Sequence, residues 1–218
     1  MTASVNEDIN LVPLTYGSIY SPVLDRLEAR DETAVRVLRG ALEKAESRQP
    51  GFLLELSKEL LRRADLTAAV NLQEAFLRRQ ADLPPVDLSL HCAPQGQEAV
   101  YQELAHRAAN LRKILARIPD EMSDRRQFLE TIKEIASGIK KLLDATNAVM
   151  GSVEGGGGPG ERLEQRKREF VKYSKRFSNT LKDYFKGQSA QLVFLSANQL
   201  IYQTSLIIAT LRSTQTTP

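Results

Sequence analysis

One cysteine, Cys92, and two histidines, His91 and His106, are all that this chain of 218 residues offers in soft metal ligands and Cys–His chemistry. A lone cysteine closes no internal disulfide, so no cystine framework holds the fold, and the usage fits a reducing compartment. A structural zinc site draws four ligands at repeating spacing, and a Cys–His nucleophile needs a base held by a rigid scaffold. His91 and Cys92 are instead neighbours inside a proline-rich stretch and read as loop residues, so no metal is expected. Long hydrophobic runs are also missing. The segment with least charge, SAQLVFLSANQLIYQTSLIIATLR (189–212), is broken by Asn198, Gln199, Gln203, Thr204 and Ser205. Its longest apolar run is Leu192–Leu195, whereas a membrane span needs about 20 mostly apolar residues. It is expected to be a helix enclosed by a bundle and not transmembrane. No N-terminal stretch joins a basic start to a long apolar run, so no signal peptide is expected. Strand signals are lacking too, since no alternating run lies between hairpin dipeptides.

Catalytic signatures are equally scarce. Carboxylates are plentiful but lie on exposed helical faces beside Lys and Arg, and Asp120, Glu121 and Asp124 suit the first turn of a helix. GSVEGGGGPGER (151–162) contains G-x-G-x-x-G at Gly155, Gly157 and Gly160. That motif needs a strand before it, and a P-loop needs Lys and Ser/Thr after its last glycine. Glu161-Arg162 follows here, so the stretch reads as a flexible connector. The expectation is a protein without enzymatic activity and without a cofactor.

What the chain does contain is helical periodicity. Ser21-Pro22 suits an N-cap and first-turn proline. Asp31 suits the cap of a helix bearing Val35, Leu38, Leu42 and Ala45 at 3,4,3 spacing, which Pro50-Gly51 stops. FLLELSKELLRRA (52–64) follows, and Asp65 is read as the cap of a helix bearing Leu66, Ala69, Leu72 and Phe76. Short helices with broad apolar faces in about 80 residues struggle to cover their own core, so association is expected of them. ADLPPVDLSLHCAPQGQ (81–97), with its three prolines, breaks the period and reads as a linker. Beyond it, Leu129, Ile132, Ala136, Ile139, Leu143, Thr146 and Met150 keep a 3,4 alternation, read as the seam of an antiparallel bundle. Further helices over about 161–186 and over the uncharged segment complete it. The fold class is all-α: a small N-terminal helical dimerisation domain (1–81), a linker (82–97) and a C-terminal four-helix bundle (98–218).

Charge singles out one region. The net charge is only +3, but residues 161–218 carry 10 Lys+Arg against 4 Asp+Glu, whereas residues 1–81 carry 11 against 12. Within FVKYSKRFSNTLKDYFKG (170–187), Lys175, Ser178 and Lys182 share one helical stripe beside an apolar face of Tyr173, Phe177, Leu181 and Tyr184. Lys133, Ala136 and Lys140 repeat the pattern K-x-x-(small)-x-x-x-K on the preceding helix. Were the two helices antiparallel neighbours, lysines about 10 Å apart along each would flank a floor of small side chains. That shape suits an acidic amphipathic helix. Periodicity alone is equally compatible with a solvated basic face. Nucleic acid is disfavoured, because no helix-turn-helix or RNA-binding signature accompanies the lysines. An anionic phosphoinositide surface stays as the alternative partner.

IPDEMSDRRQFLETIKEIASGIKKLLDATNAV, LEQRKREFVKYSKRFSNTLKDYFKG and VFLSANQLIYQTSLI closely resemble the programmed cell death 10 family, also called the cerebral cavernous malformation 3 family. Upstream, LVPLTYGSIYSPVLDRLE and LRGALEKAESRQPG are similar to its N-terminal dimerisation domain. The linker and the glycine run at 155–158 depart from the vertebrate pattern, at places where a bundle tolerates insertion. The resemblance implies a non-enzymatic adaptor with a bundle like a focal-adhesion-targeting domain. It implies a homodimer, or a heterodimer with germinal-centre-type III sterile-20-like kinases, through positions matching Leu38, Ala41, Leu60 and Leu61. It also implies that Lys133, Lys140, Lys175 and Lys182 bind leucine-aspartate helices of paxillin, a similar helix of the cerebral cavernous malformation 2 protein, and the striatin scaffold. Roles in apoptosis and angiogenesis follow from it, with a cytoplasmic location that extends to the Golgi and membranes.

Overall fold

The computed structural model describes residues 10–84, 88, 93, 94, 96–152 and 159–213, and every one of its long elements is a helix. His91, Cys92, Gly155 and Gly157 lie outside the described residues. The chain divides into two compact units at Leu83/Pro84.

In the first unit, α1 (Val12–Thr15) runs without a break into a π-helical turn (Tyr16–Tyr20) and then α2 (Ser21–Glu28). Pro22 falls in the first turn of α2 as expected, but Ser21 is already inside the continuous helical run and is not its N-cap. The Ser21 N–H bonds the Tyr16 carbonyl, the wide spacing of a π turn. Pro22 supplies the reason: it has no N–H for the ordinary bond four residues back, and a widened turn accommodates it. The turn is held from outside. Ser18 and Gln80, both buried, are joined by Gln80 Nε2 donating to Ser18 Oγ at 2.7 Å. Tyr20 donates its phenol to the Leu53 carbonyl at 3.0 Å.

Asp31 caps α3 (Glu32–Arg48) as expected, accepting from the Ala34 N–H at 2.9 Å. Between α3 and α4 (Phe52–Arg63), Gly51 adopts φ 94°, a region costly for other residues. The Glu46 carboxylate closes this corner, accepting from the N–H groups of Gly51 at 2.7 Å and Leu53 at 2.9 Å. Asp65 does not cap the next helix; it closes α4. At φ 55° it occupies the left-handed position of a Schellman stop, in which the Leu66 N–H reaches back to the Leu61 carbonyl at 2.9 Å. Asp tolerates that conformation better than most residues, which is why one residue type fits both readings. The following helix, α5 (Leu72–Arg79), is capped by Asn71. Leu11, Leu53, Leu54, Phe76 and Leu77 form the buried centre of this unit.

The second unit contains α6 (Glu98–Ala116), a short α7 (Ile118–Glu121), α8 (Arg125–Ser152), α9 (Pro159–Tyr184) and α10 (Ala190–Ser213). Helix α8 packs on α6 and α9, and α10 packs on α9 and α6, which closes a four-helix bundle. Gln97 reaches the Ser152 carbonyl while Arg117 reaches Glu134, so α6 and α8 run antiparallel. The Phe128 ring lies 5.8 Å from Tyr184 and from Phe185, at the start of α8 and the end of α9, so these two are antiparallel as well.

The core repeats every seven residues. Leu104 and Leu111, then Phe128, Ile135, Leu142 and Val149, then Leu163, Phe170 and Phe177, then Val193, Leu200 and Ile207 are each no more than 2% exposed. A seven-residue period is what knobs-into-holes packing demands, and each such side chain contributes about 1.5–3 kcal/mol by leaving water. This places the seam of α8 one residue away from the sequence reading. Of the expected seam only Thr146 is buried; Leu129 is 43% exposed, Ala136 is exposed, and Ile132, Ile139, Leu143 and Met150 are half-buried on the flank. The two stripes carry the same 3,4 spacing, and only packing separates their phases.

This register has a direct test in denaturant unfolding of the C-terminal unit. Phe128→Ala is expected to cost about 3–5 kcal/mol, whereas Leu129→Ala, its neighbour, should cost less than about 1 kcal/mol. Equal costs would return the seam to Leu129.

Candidate functional site

Two surfaces expose apolar side chains. In the C-terminal unit, Lys133, Ala136 and Lys140 on α8 and Lys175, Ser178 and Lys182 on α9 are all exposed. The two helices are direct antiparallel neighbours. Counting equal rises from the Phe128–Tyr184 pairing sets Lys133–Lys140 opposite Lys172–Asn179. Lys175 and Ser178 are therefore level with the α8 lysines, and Lys182 lies one turn beyond Lys133.

The structure adds what the sequence reading had assigned to the core. Leu129, Ile132, Ala136 and Ile139 lie on the helical arc between the buried stripe and the lysines, on the side of α8 that turns toward α9. From α9, half-buried Val171 and Ser174 occupy the matching arc. The lysines thus rim an apolar strip. The sequence signal for it was present: a second 3,4 stripe displaced by one residue from the heptad of Phe128, Ile135, Leu142 and Val149.

The ammonium groups are available. Lys133 touches Glu130 at 2.8 Å, but both side chains are mostly exposed, and a pair of that kind contributes about 0–1 kcal/mol. Lys140, Lys175 and Lys182 have no carboxylate within ion-pair distance among the described residues. Helix α9 is stopped cleanly beyond them by Gly187 at φ 97°, where the Gln188 N–H bonds the Asp183 carbonyl in a second Schellman stop. At the same end Arg125 lies 6.0 Å over the Phe185 ring, which remains 42% exposed.

The N-terminal unit carries an apolar groove of about 680 Å³, lined mainly by Val23, Leu27, Leu38, Leu42, Leu60, Leu61 and Leu66. Leu38 is 45% and Leu60 56% exposed. Three of the four expected interface positions, Leu38, Leu60 and Leu61, meet in this groove, while Ala41 is exposed one turn along α3. Sequence reasoning had not singled out Val23 or Leu27, and had placed Leu66 on the inner face of a helix and not at an interface. Leu66 reaches the groove because the Asp65 stop folds it back over Leu61.

Ion pairs flank the groove, and Arg79, the one charged residue in its lining, is itself paired with Asp82 at 3.5 Å. Arg39 bridges Asp25 at 2.6 Å and Glu28 at 3.4 Å, and hydrogen bonds to Asp25 and Tyr16 push its pKa upward. Glu59 receives Arg62 and Arg63, whose hydrogen bonds hold its carboxyl down at about 2. His106, the histidine within the described residues, is exposed and shares a 2.8 Å hydrogen bond with Asn110.

A helical bundle with an open lysine-rimmed strip, joined to a helical unit with an uncovered apolar groove, defines an adaptor that works by binding other proteins. Residues 10–67 match the family model described as programmed cell death protein 10, dimerisation domain. Residues 70–169 match the model for the C-terminal part of the same protein. Over 204 residues the chain is 48% identical to the Programmed cell death protein 10 homolog of Caenorhabditis elegans, covering 91% of this chain and 92% of that one. The chain belongs to the programmed cell death protein 10 family. Its N-terminal unit is a dimerisation domain.

Leu38→Asp combined with Leu60→Asp is expected to weaken dimerisation by more than about 2 kcal/mol. Sedimentation equilibrium should show a monomer, and circular dichroism should show unchanged helix content because both side chains are exposed. A dimer that persists in this variant would move the interface away from the groove.

Proposed function

We propose that the protein is a non-enzymatic scaffold that couples a helical partner at its N-terminal unit to an acidic, leucine-bearing helix at its C-terminal bundle. The observation that carries this reading is the apolar strip of Leu129, Ile132 and Ile139, half-exposed beside four lysines of which, among the described residues, only Lys133 has a carboxylate within reach, the exposed Glu130. A helix with leucines on one face and Asp or Glu on the next satisfies both features at once. Leucines fill the strip, and the carboxylates meet Lys133, Lys140, Lys175 and Lys182. Family resemblance supports the leucine-aspartate motifs of paxillin, the corresponding helix of the cerebral cavernous malformation 2 protein, and striatin as such partners. For the N-terminal groove it supports a second copy of the chain or a germinal-centre-type III sterile-20-like kinase. The setting for this work is the cytoplasm, with recruitment to Golgi and other membranes through the bound partners.

A labelled leucine-aspartate peptide tests the reading. Reversal of all four lysines to Glu is expected to weaken peptide binding by at least about 2–4 kcal/mol, with no change in the thermal melt. Affinity in the wild-type protein should fall only modestly with salt, because leucine burial carries much of it. Unchanged binding in the variant overturns the groove. The steep salt dependence of phosphate contacts, with phosphoinositide vesicles outcompeting the peptide, would replace it by an anionic-membrane site.

A further inference from the structure

Helix α8 has a second basic flank, on the side turned toward α6. Arg107, Asn110 and Lys113 from α6, Arg117 beyond its end, and Glu134, Ser137, Gly138 and Lys141 from α8 enclose a cleft of about 390 Å³. Its floor exists because Gly138 has no side chain. A Cβ there would come within 3.2 Å of Leu111 Cδ1, and Leu111 is fully buried, so the helices approach closely at this level.

The charges in the cleft are only partly compensated. Arg107 is occupied by Glu103 at 2.6 Å, and Arg117 by Glu121 at 2.8 Å and Glu134 at 2.7 Å. Lys113 and Lys141 are exposed on opposite walls and have no carboxylate within ion-pair distance among the described residues. Two ammonium groups therefore face a cleft that also presents one held carboxylate, one side-chain amide and a hydroxyl.

That mixture defines the ligand. A polyphosphate brings only acceptors and has no donor to offer the Glu134 carboxylate, which Arg117 holds at 2.7 Å. Ile114 is the one sizeable apolar side chain in the lining, so a leucine-anchored helix finds little to fill. An extended peptide matches every group: carboxylates for Lys113 and Lys141, a backbone N–H for Glu134, and backbone carbonyls for the Asn110 amide and the Ser137 hydroxyl. We propose that the α6–α8 cleft docks an extended acidic segment of a partner protein, with Lys113 and Lys141 as its carboxylate clamps. The site is separate from the α8–α9 strip and stands whether or not that strip takes an acidic helix.

Fluorescence anisotropy of a fluorescein-labelled hexaglutamate peptide on the full chain, at low ionic strength, tests this. Lys113→Glu with Lys141→Glu should weaken binding at least about tenfold, while Lys172→Glu with Lys186→Glu, the same charge change on exposed lysines that line neither surface, should alter it less than about threefold. Both pairs are exposed, so helix content should not change; Lys113→Gln with Lys141→Gln should give a smaller loss in the same direction. Amide resonances of Ser137 and Gly138 should shift on titration. Equal losses in the two Glu variants would reduce the effect to general charge and overturn the proposal. Inositol hexakisphosphate displacing the peptide at lower charge-matched concentration would also overturn it, reassigning the cleft to phosphate.

Discussion

Everything on the C-terminal unit depends on one constraint, the seven-residue repeat of side chains withdrawn from water on all four helices. With Phe128, Ile135, Leu142 and Val149 fixed as the inner stripe of α8, every other position of that helix has its direction assigned. Glu134 and Lys141 fall on the flank toward α6, Leu129 and Ile139 on the flank toward α9, and Lys133 and Lys140 outermost. The docking surfaces are thus remainders of the core geometry. A heptad stripe is narrower than the apolar arc the sequence supplies, and the excess leucine and isoleucine remains half-exposed beside the lysines.

The same constraint explains α10. By length and composition it could cross a membrane, yet 72% of its most apolar stretch is buried inside the protein. Its buried hydroxyls are compatible with burial because they bond within their own helix. Thr204 Oγ1 donates to the Leu200 carbonyl at 3.0 Å, Thr210 Oγ1 to Leu206 at 2.8 Å and Ser196 Oγ to Val193 at 3.0 Å. A hydroxyl that satisfies itself three or four residues back carries little of the cost of a buried polar group. The sequence therefore tolerates Ser and Thr in a largely enclosed helix that excludes Lys and Glu altogether before Arg212.

The helical class, the Asp31 cap and the two lysine stripes were legible in the sequence, because each rests on local spacing or on a single side chain reaching its own backbone. What failed were choices between two readings with identical local support. Leu129–Leu143 and Phe128–Leu142 both alternate at 3,4, and no residue within α8 records which stripe its neighbours cover. Asp65 suits an N-cap and a left-handed stop alike, and the decision lies with the Leu66–Leu61 bond that forms only when the chain turns. Lys113 and Lys141 lie 28 positions apart, and they face one cleft only because Gly138 lets α6 approach α8. Pairings of that kind are set by packing, beyond the reach of periodicity.

The two exposed surfaces differ in a way that governs how they exchange partners. The N-terminal groove is almost wholly apolar, edged by charges that are already paired, so leaving it uncovered exposes leucine to water with nothing to offset the cost. An occupant there is held by burial, which salt scarcely screens, and exchange is slow because the apolar contacts must all be broken before another partner enters. The C-terminal strip is narrower and its lysines are solvated when empty, so vacancy is cheap. Under the proposed function this asymmetry lets one end stay committed to a helical partner while the other samples acidic helices, drawn in by lysines of which, among the described residues, only Lys133 has a carboxylate in reach, the exposed Glu130.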